Sequence, residues 1–351
     1  MRLRALCLSL GLMLGGLCGC VTLDRGDAGE PTQAAGAIAA GLPASPCLDG
    51  DRFVAADGTA LPLRAWLPEG APNAVVLALH GLNDYSNAFA LPAPDLVAQG
   101  IAVYAYDQRG FGTAPRRGRW AGEDAMVRDA ALAARLLRQR YPDTPLYLLG
   151  ESMGGAVAIL AVTGAAPAPV DGVILAAPAV WGRQTMNVFE RVGLWLIGQV
   201  PALQVSQRSL PYKVHPSDNL PMLRALGADP LVLKEARTDT LTGVVDLMSS
   251  ALARAPRLAV PALILYGEKD EIVPREAIAA FVDHLPALAE RQRVALYPKG
   301  YHMLLRDLQG ATVLADISAW MRDRRGDLPS GADSGARATL TGRAATVALM
   351  N

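Results

Sequence analysis

A six-residue stretch, Gly150-Glu151-Ser152-Met153-Gly154-Gly155, constrains the fold of this chain more than any other feature. The apolar run at 146–149 predicts a short buried strand before it, and the apolar run at 156–161 predicts a buried helix after it. A serine at such a tight turn takes up a strained backbone conformation, and glycines two positions before and after it keep side chains away from the neighbouring backbone. The pattern predicts a serine hydroxyl exposed beyond a strand end, next to the free N–H groups of a helix.

The same pattern has a simpler explanation in a flexible turn. The chain contains 34 glycines, so a G-x-S-x-G match can arise by chance. A catalytic serine needs a base to take its proton and a carboxylate to orient that base. Partners in the right order along the chain would therefore distinguish the two explanations.

Buried strands and amphipathic helices alternate through most of the chain. A hairpin at 52–67, turning at Asp57-Gly58, comes first. Further strands are predicted at 74–79, 101–106, 172–176, 262–266 and 293–297, and further helices at 94–99, 123–140, 275–284 and 303–322. This alternation predicts an α/β fold, with a mostly parallel sheet and helices on both of its faces. Sites in such sheets lie at the carboxyl ends of the strands, which here carry His80, Asp107, Ser152, Asp270 and His302.

The alternation stops between residues 181 and 257. This segment contains apolar helical stretches at 188–200 and 241–252, and we interpret it as a cap inserted into a core of residues 51–180 and 258–324. Its apolar residues either pack on the core or face an acyl chain or a membrane. Beyond residue 325 the composition turns to Gly, Ala, Ser, Thr and Arg, which predicts a mostly disordered tail over 325–351.

The N-terminus has the pattern of a bacterial lipoprotein signal peptide. Arg2 and Arg4 precede an apolar stretch at 5–17, which is too short to span a membrane as a helix of the mature chain. The stretch ends in the tetrapeptide LCGC, which resembles a lipobox with Cys20 as the lipidated first residue of the mature protein. Cys18 departs from the small or hydroxylated residue usual at its position, so ordinary signal-peptide cleavage is the alternative.

The residues that follow predict a tethered protein of the cell envelope. Val21 succeeds the cysteine, and by similarity to Gram-negative lipoproteins this indicates the outer membrane. Residues 21–50 are rich in Ala, Gly and Pro, which predicts a flexible tether. The four cysteines all precede the catalytic region, leaving it without a disulfide or cysteine metal site, and Cys47 is expected to be free. The formal net charge is zero, with no basic stripe for nucleic acid.

Few residues qualify as partners of the serine. Of the four histidines, only His302 lies in a loop after the final predicted strand, whereas His80 precedes the serine and His284 falls within a helical pattern. For the carboxylate, Asp270 is the best candidate because it follows a buried strand, and Glu268 and Glu271 are its rivals.

Five motifs together indicate a known family. The chain resembles the monoacylglycerol lipase and lysophospholipase branch of the α/β-hydrolases, which is the serine-aminopeptidase-like set, over residues 52–322. The motifs, in chain order, are His80-Gly81, the DQRGFG segment at 107–112, the GESMGG segment at 150–155, the GEKDEIVP segment at 267–274 and Gly300-x-His302. A small departure is Thr113, where the family often has serine.

The resemblance implies both a site and an activity. It implies Ser152, Asp270 and His302 as a catalytic triad, with an oxyanion hole formed by the N–H groups of Leu82 and Met153, and no metal or cofactor. It further implies hydrolysis of carboxylic esters such as monoacylglycerols or lysophospholipids. Alternatives on the same fold are an aminopeptidase, a thioesterase or an acyltransferase, or a non-enzymatic envelope binding protein.

Overall fold

The computed structural model describes residues 45–200, 203–206, 214–286 and 292–342. Its strands are β1 (Cys47–Asp49), β2 (Arg52–Val54), β3 (Ala60–Trp66), β4 (Ala74–Leu79), β5 (Ile101–Tyr106), β6 (Leu146–Glu151), β7 (Gly172–Ala176), β8 (Gln204–Ser206), β9 (Glu235–Arg237), β10 (Ala262–Gly267) and β11 (Gln292–Tyr297). Its α-helices are α1 (Ala93–Val97), α2 (Glu123–Arg140), α3 (Met153–Thr163), α4 (Val188–Gly198), α5 (Leu220–Ala228), α6 (Thr238–Arg254), α7 (Arg275–His284), α8 (Gly310–Arg322) and α9 (Ala336–Thr341).

A nine-stranded sheet forms the centre of the molecule. Its order is β1-β2-β3-β5-β4-β6-β7-β10-β11. Strands β4, β5, β6, β7, β10 and β11 run parallel, whereas β1, β2 and β3 join through antiparallel pairings at one edge. Every residue of β4, β5, β6, β7 and β10 is buried, as expected for parallel strands covered on both faces. The predicted α/β-hydrolase fold, with its mostly parallel sheet, is confirmed.

Helices cover both faces of the sheet and form two apolar layers. On one face, α2, α3, α6 and α7 contribute side chains such as Leu137, Ile159 and Phe281. On the other face, α1 and α8 contribute Leu96, Ile317 and Trp320. The sheet separates these layers because successive side chains of a strand point to opposite faces.

The cap combines helices with a small sheet. Helices α4, α5 and α6 lie between β7 and β10 in the chain, and β8 pairs antiparallel with β9. The helical stretches predicted at 188–200 and 241–252 correspond to α4 and α6. Within the described ranges, no helix combines the length and the apolar character needed to cross a bilayer.

The predicted disordered tail is wrong for the residues that the structure describes. Helix α9 packs on α7 and β11, and Leu328, Ala336 and Leu340 are buried. The N–H of Leu296 donates to the carbonyl of Ala332, so the segment covers the edge of β11 that would otherwise lack partners. A few buried apolar residues therefore hold this Gly- and Ala-rich segment against the core. Residues 343–351 lie outside the described residues.

Two other boundaries differ from the sequence predictions. Strand β1 begins at Cys47, so the folded domain starts within the stretch predicted as a tether; residues 1–44, with Cys20, lie outside the described residues. The last core helix begins at Gly310 and not at Met303, because residues 303–309 form a turn. In that turn the N–H groups of Arg306 and Asp307 both donate to the carbonyl of Met303.

Candidate active site

Ser152 occupies the strained turn that the sequence predicts. Its backbone has φ 54° and ψ −116°, a conformation that is costly for a residue with a side chain. A Cβ added to Gly150 would lie 2.3 Å from the carbonyl oxygen of Gly154, and one added to Gly154 would lie 2.1 Å from that of Leu79. Neither position accepts a side chain, so the two glycines are what allows the serine to stand between β6 and α3.

The loop after β4 passes directly beside this serine. A Cβ at Gly81 would lie 3.3 Å from the Cβ of Ser152. Leu82 follows Gly81 in this loop, and Met153 is the first residue of α3, so the two predicted oxyanion-hole residues flank the serine from two segments. Asn83 adopts a left-handed conformation with φ 66°, which turns the chain after Leu82. The role of the two N–H groups in binding an oxyanion stays a prediction.

The cap is fastened to the same loop. The N–H of Leu233 donates to the carbonyl of Asn83 at 2.9 Å, and the hydroxyl of Tyr85 donates to Asp229 at 2.8 Å. The segment after α5 therefore fixes the loop beside the serine, which links the cap directly to the candidate site.

His302 and Asp270 form a buried pair. Nδ1 of His302 donates to Oδ2 of Asp270 at 2.8 Å, and the exposed fractions of the two side chains are 5% and 0%. Oδ1 of Asp270 accepts hydrogen bonds from the N–H groups of Ile272 and Val273. The carboxylate is thus held on both oxygens, and the histidine is held in the tautomer that leaves Nε2 as an acceptor.

Close backbone contact between two loops brings this pair together. The N–H of Lys269 donates to the carbonyl of Gly300 at 2.9 Å. A Cβ on Gly267 would lie 2.4 Å from the oxygen of Gly300, and a Cβ on Gly300 would lie 3.0 Å from the Cα of Gly267. The glycines of the two sequence motifs therefore permit the contact between the acid loop and the histidine loop.

The pKa of His302 reflects opposing influences. Burial lowers this pKa, whereas the charge of Asp270 and its hydrogen bond raise it, as does Glu151, against a smaller opposing effect of Arg306. The net result is a pKa of His302 above its ordinary value of 6.5. The surroundings favour the imidazolium form, which a histidine base must adopt during catalysis.

The rival carboxylates and histidines have other partners. Glu268 pairs with Arg275, and Glu271 accepts a hydrogen bond from the N–H of His215, so Asp270 is the acid that contacts His302. His284 lies at the end of α7, with its ring directed to a carbonyl of its own helix.

His80 and Asp107 hold loops in place. Nδ1 of His80 donates to the carbonyl of Gly81, and Nε2 accepts from the N–H of Gln108; burial lowers the pKa of His80, which keeps it neutral for this arrangement. Asp107 accepts from the N–H groups of Ser86 and Thr113 and from the Thr113 hydroxyl, so the threonine found in place of serine still serves this carboxylate. His80 therefore shapes the loop beside the serine.

A buried ionic cluster that no sequence motif predicted includes Glu151, the residue before Ser152. Arg306 donates to Asp84 at 2.8 Å and to Glu151 at 2.9 Å, and all three side chains are buried. One signal was available: Glu151 stands between an apolar strand and a buried helix, where a carboxylate requires a partner. The partner itself could not be found, because Arg306 lies 155 residues away in the chain.

Known proteins resemble this chain in sequence. The monoglyceride lipase of Mus musculus is 28% identical over 288 residues, which covers 80% of this chain and 92% of the relative. The monoacylglycerol lipase of Mycolicibacterium smegmatis is 25% identical over 281 residues, which covers 77% of this chain and 95% of the relative.

Solved structures share the fold, and a family profile covers most of the chain. A soluble variant of monoglyceride lipase from Saccharomyces cerevisiae, in complex with a substrate analogue, superposes with a TM-score of 0.66 at 20% identity, covering 81% of this chain and 96% of that one. The monoacylglycerol lipase of Paleococcus ferrophilus superposes with a TM-score of 0.61 at 24% identity, covering 74% of this chain and 98% of that one.

The family profile described as "Hydrolase_4: Serine aminopeptidase, S33" matches residues 70–309. The chain therefore belongs to the Hydrolase_4 family of α/β-hydrolases, in agreement with the resemblance predicted from its motifs.

Proposed function

We propose that this protein is a serine hydrolase that cleaves the carboxylic esters of acyl lipids, such as monoacylglycerols or lysophospholipids. The observation that carries the proposal is the buried hydrogen bond between His302 and Asp270, in a fold where both follow a serine on a strained strand-to-helix turn. Relatives named monoglyceride lipase align over four-fifths of the chain and support the choice of substrate class.

In the proposed reaction the triad forms and then hydrolyses an acyl-enzyme. Nε2 of His302 takes the hydroxyl proton of Ser152 as the oxygen attacks the ester carbonyl, and the N–H groups of Leu82 and Met153 stabilise the oxyanion. Asp270 stabilises the imidazolium, which then gives its proton to the leaving alcohol. The C–O bond to that alcohol breaks, and a water molecule repeats the sequence on the acyl-enzyme to release the fatty acid.

The exposed face of the cap supports a substrate that is delivered from a lipid surface. Helix α4 leaves large apolar side chains in solvent, with Phe189 and Trp195 exposed by 63% and 62% and Val188, Val192 and Leu196 also exposed. A contiguous apolar face of this kind is costly in water and is typical of membrane or acyl-lipid contact. We propose that this face of α4 meets the membrane that contains the substrate.

We also propose that the protein is anchored in the bacterial envelope through a lipid on Cys20, in the outer membrane. The support is the lipobox-like tetrapeptide and Val21 after it. Incorporation of a labelled fatty acid into the full chain, and its loss in Cys20→Ser, would test the anchor. A chain that takes up no label but loses its N-terminal segment would point to ordinary signal-peptide cleavage.

The family description names a serine aminopeptidase, so amide hydrolysis is the second candidate. A peptidase needs free carboxylates in the cap to bind the substrate ammonium group. Of the three cap carboxylates Glu190, Glu235 and Asp239, the first is used in the capping box of α4 and the last pairs with Arg237, which leaves Glu235. These pairings favour the ester substrate.

A direct comparison of the two substrate classes tests the proposal. The full chain, purified in detergent, is assayed on p-nitrophenyl esters from C2 to C16 and on an aminoacyl anilide. We expect turnover of the medium and long esters and little of the anilide. Turnover of the anilide alone would move the protein to the peptidases.

A further inference from the structure

Three loops of the active site meet at one buried arginine. Nη1 of Arg306 donates to Oδ2 of Asp84 at 2.8 Å, and Nη2 donates to Oε2 of Glu151 at 2.9 Å. The exposed fractions of the three side chains are 5% for Arg306, 7% for Asp84 and 3% for Glu151. The guanidinium is therefore shared between two carboxylates with almost no contact with water.

Each member of this cluster lies next to a proposed catalytic group. Asp84 is two residues after Leu82 in the loop beside the serine, Glu151 immediately precedes Ser152, and Arg306 lies four residues after His302. The single side chain of Arg306 thus joins the oxyanion loop, the serine turn and the histidine loop, which come from distant parts of the chain.

The histidine loop is also fixed from the cap. The carbonyl of Arg306 accepts a hydrogen bond from Asn219, and the N–H of Met303 donates to the carbonyl of Pro216. Asp307 accepts from the hydroxyl of Ser217 and from the N–H of Tyr301. Arg306 is therefore held at its backbone by the cap and at its side chain by the core.

The cluster is a poor way to gain stability alone. Burying three ionisable groups costs desolvation that their mutual attraction seldom exceeds, and replacing such groups with apolar residues is often neutral or stabilising. Here the compensation is also incomplete, because Oε1 of Glu151 and Nε of Arg306 have no hydrogen-bond partner among the described residues. Burial raises the pKa of Glu151 against the opposing effect of Arg306. A buried cluster that costs stability, at the contact between three loops of the candidate site, indicates a role in that site.

We propose that Arg306 is a positioning residue for ester hydrolysis, which holds the oxyanion loop, the serine turn and the histidine loop in one arrangement through Asp84 and Glu151. This inference rests on the proposed function, since it assigns a role in that reaction.

The charged groups around His302 give the inference a measurable consequence. The groups that act on it are Asp270 from the acid loop, Glu151 from β6 and Arg306 from its own loop. Asp270 and Glu151 raise the pKa of His302, and Arg306 lowers it. Removing the charge of Glu151 should thus move the pH midpoint of activity down, and weakening the Arg306 contacts should lower the rate without the same downward shift.

The test uses Arg306→Lys, Glu151→Gln and Asp84→Asn in the full chain. For each variant, kcat and KM are measured on a soluble short-chain ester, and Tm is measured by thermal unfolding. Lysine keeps the charge but cannot reach two carboxylates with a planar fork, so we expect Arg306→Lys to lower kcat by roughly 10- to 100-fold with KM changed by less than about threefold. Glu151→Gln should move the midpoint of the pH profile down by roughly 0.5 to 1 unit.

A matched control exists in the same molecule. Arg109 is also shared between two carboxylates, those of Asp57 and Asp129, but it joins the β2–β3 hairpin to α2. Arg109→Lys should lower Tm as Arg306→Lys does while leaving kcat and the pH midpoint unchanged. If Arg306→Lys does not fold, Glu151→Gln and Asp84→Asn carry the test, because each replaces a carboxylate by an amide of the same shape.

The outcomes separate this inference from the function it rests on. Normal kcat and an unmoved pH midpoint in all three variants, beside an active wild type, would overturn the positioning role and leave the hydrolase intact. An equal loss of kcat in Arg109→Lys and Arg306→Lys would also overturn the positioning role, since both substitutions would then act through stability alone. A folded wild type without ester turnover would overturn the proposed function itself.

Discussion

The sheet and the cap use their apolar residues for different ends. Strands β4, β5 and β6 bury every residue, whereas α5 buries none and α4 leaves Phe189 and Trp195 more than half exposed. Burial in the sheet accounts for a stable fold and a fixed site, because apolar area removed from water is the main favourable term in folding. The apolar surface of the cap contributes little to that term. Changes in the core should therefore affect the chemistry, and changes on α4 should affect the choice and the delivery of substrate.

The largest effect is expected at the serine of the core. Ser152→Ala removes the attacking oxygen, and we expect kcat to fall by about 10⁴- to 10⁶-fold. The fold should persist, because alanine is smaller, and Tm should stay near the wild-type value. A variant that kept most of its ester turnover would contradict the assignment of Ser152.

A somewhat smaller effect is expected at the carboxylate. Asp270→Asn cannot accept the Nδ1–H of His302 with a negative charge and favours the wrong tautomer, so we expect a loss of roughly 10²- to 10⁴-fold in kcat. Glu268→Gln is the matched control, since Glu268 lies two residues away and pairs with Arg275. A control as impaired as Asp270→Asn would place the acid elsewhere in the loop.

The pH profile should follow the raised pKa of His302. The base is active only when neutral, and its pKa lies above 6.5, so activity should rise with pH through a midpoint above that value. Below the midpoint, kcat/KM should fall about tenfold per pH unit. The pH midpoint of activity should therefore be higher than an unperturbed histidine would give. A flat profile across the neutral range would argue against a histidine base.

The smallest effect is expected on the cap, and it should depend on the substrate. Phe189→Ser combined with Trp195→Ser should lower turnover of long-chain ester in vesicles or emulsions by roughly five- to tenfold, because each lost aromatic removes apolar contact with lipid. Turnover of a soluble short ester and Tm should change little, since both side chains are exposed. Leu220→Ser on α5, also exposed, is the control. Equal losses on both substrates would assign the α4 face to the active site.

The same contrast explains what the sequence could predict. Regular periodicity predicted the buried strands and helices. The motifs around Ser152, Asp270 and His302 predicted the strained serine turn and the contact between the acid and the histidine, both of which the structure shows. The cluster of Asp84, Glu151 and Arg306 escaped prediction, since Asp84 and Arg306 are 222 residues apart and only the assembled sheet brings them together. The described part of the tail was mispredicted because three buried residues and the ion pair between Arg293 and Asp333 hold a segment whose average composition is typical of disorder.

The central claim is that Ser152 is the nucleophile of a hydrolase acting on acyl esters, and active-site labelling tests it most directly. The full chain in detergent is treated with a fluorophosphonate, and the adduct is located by mass spectrometry beside the Ser152→Ala and Asp270→Asn variants. We predict one adduct on Ser152, abolished in the first variant and slowed in the second, in a preparation that turns over medium- and long-chain esters. A folded protein that is labelled at another serine, or that hydrolyses esters without any label on Ser152, would contradict the account.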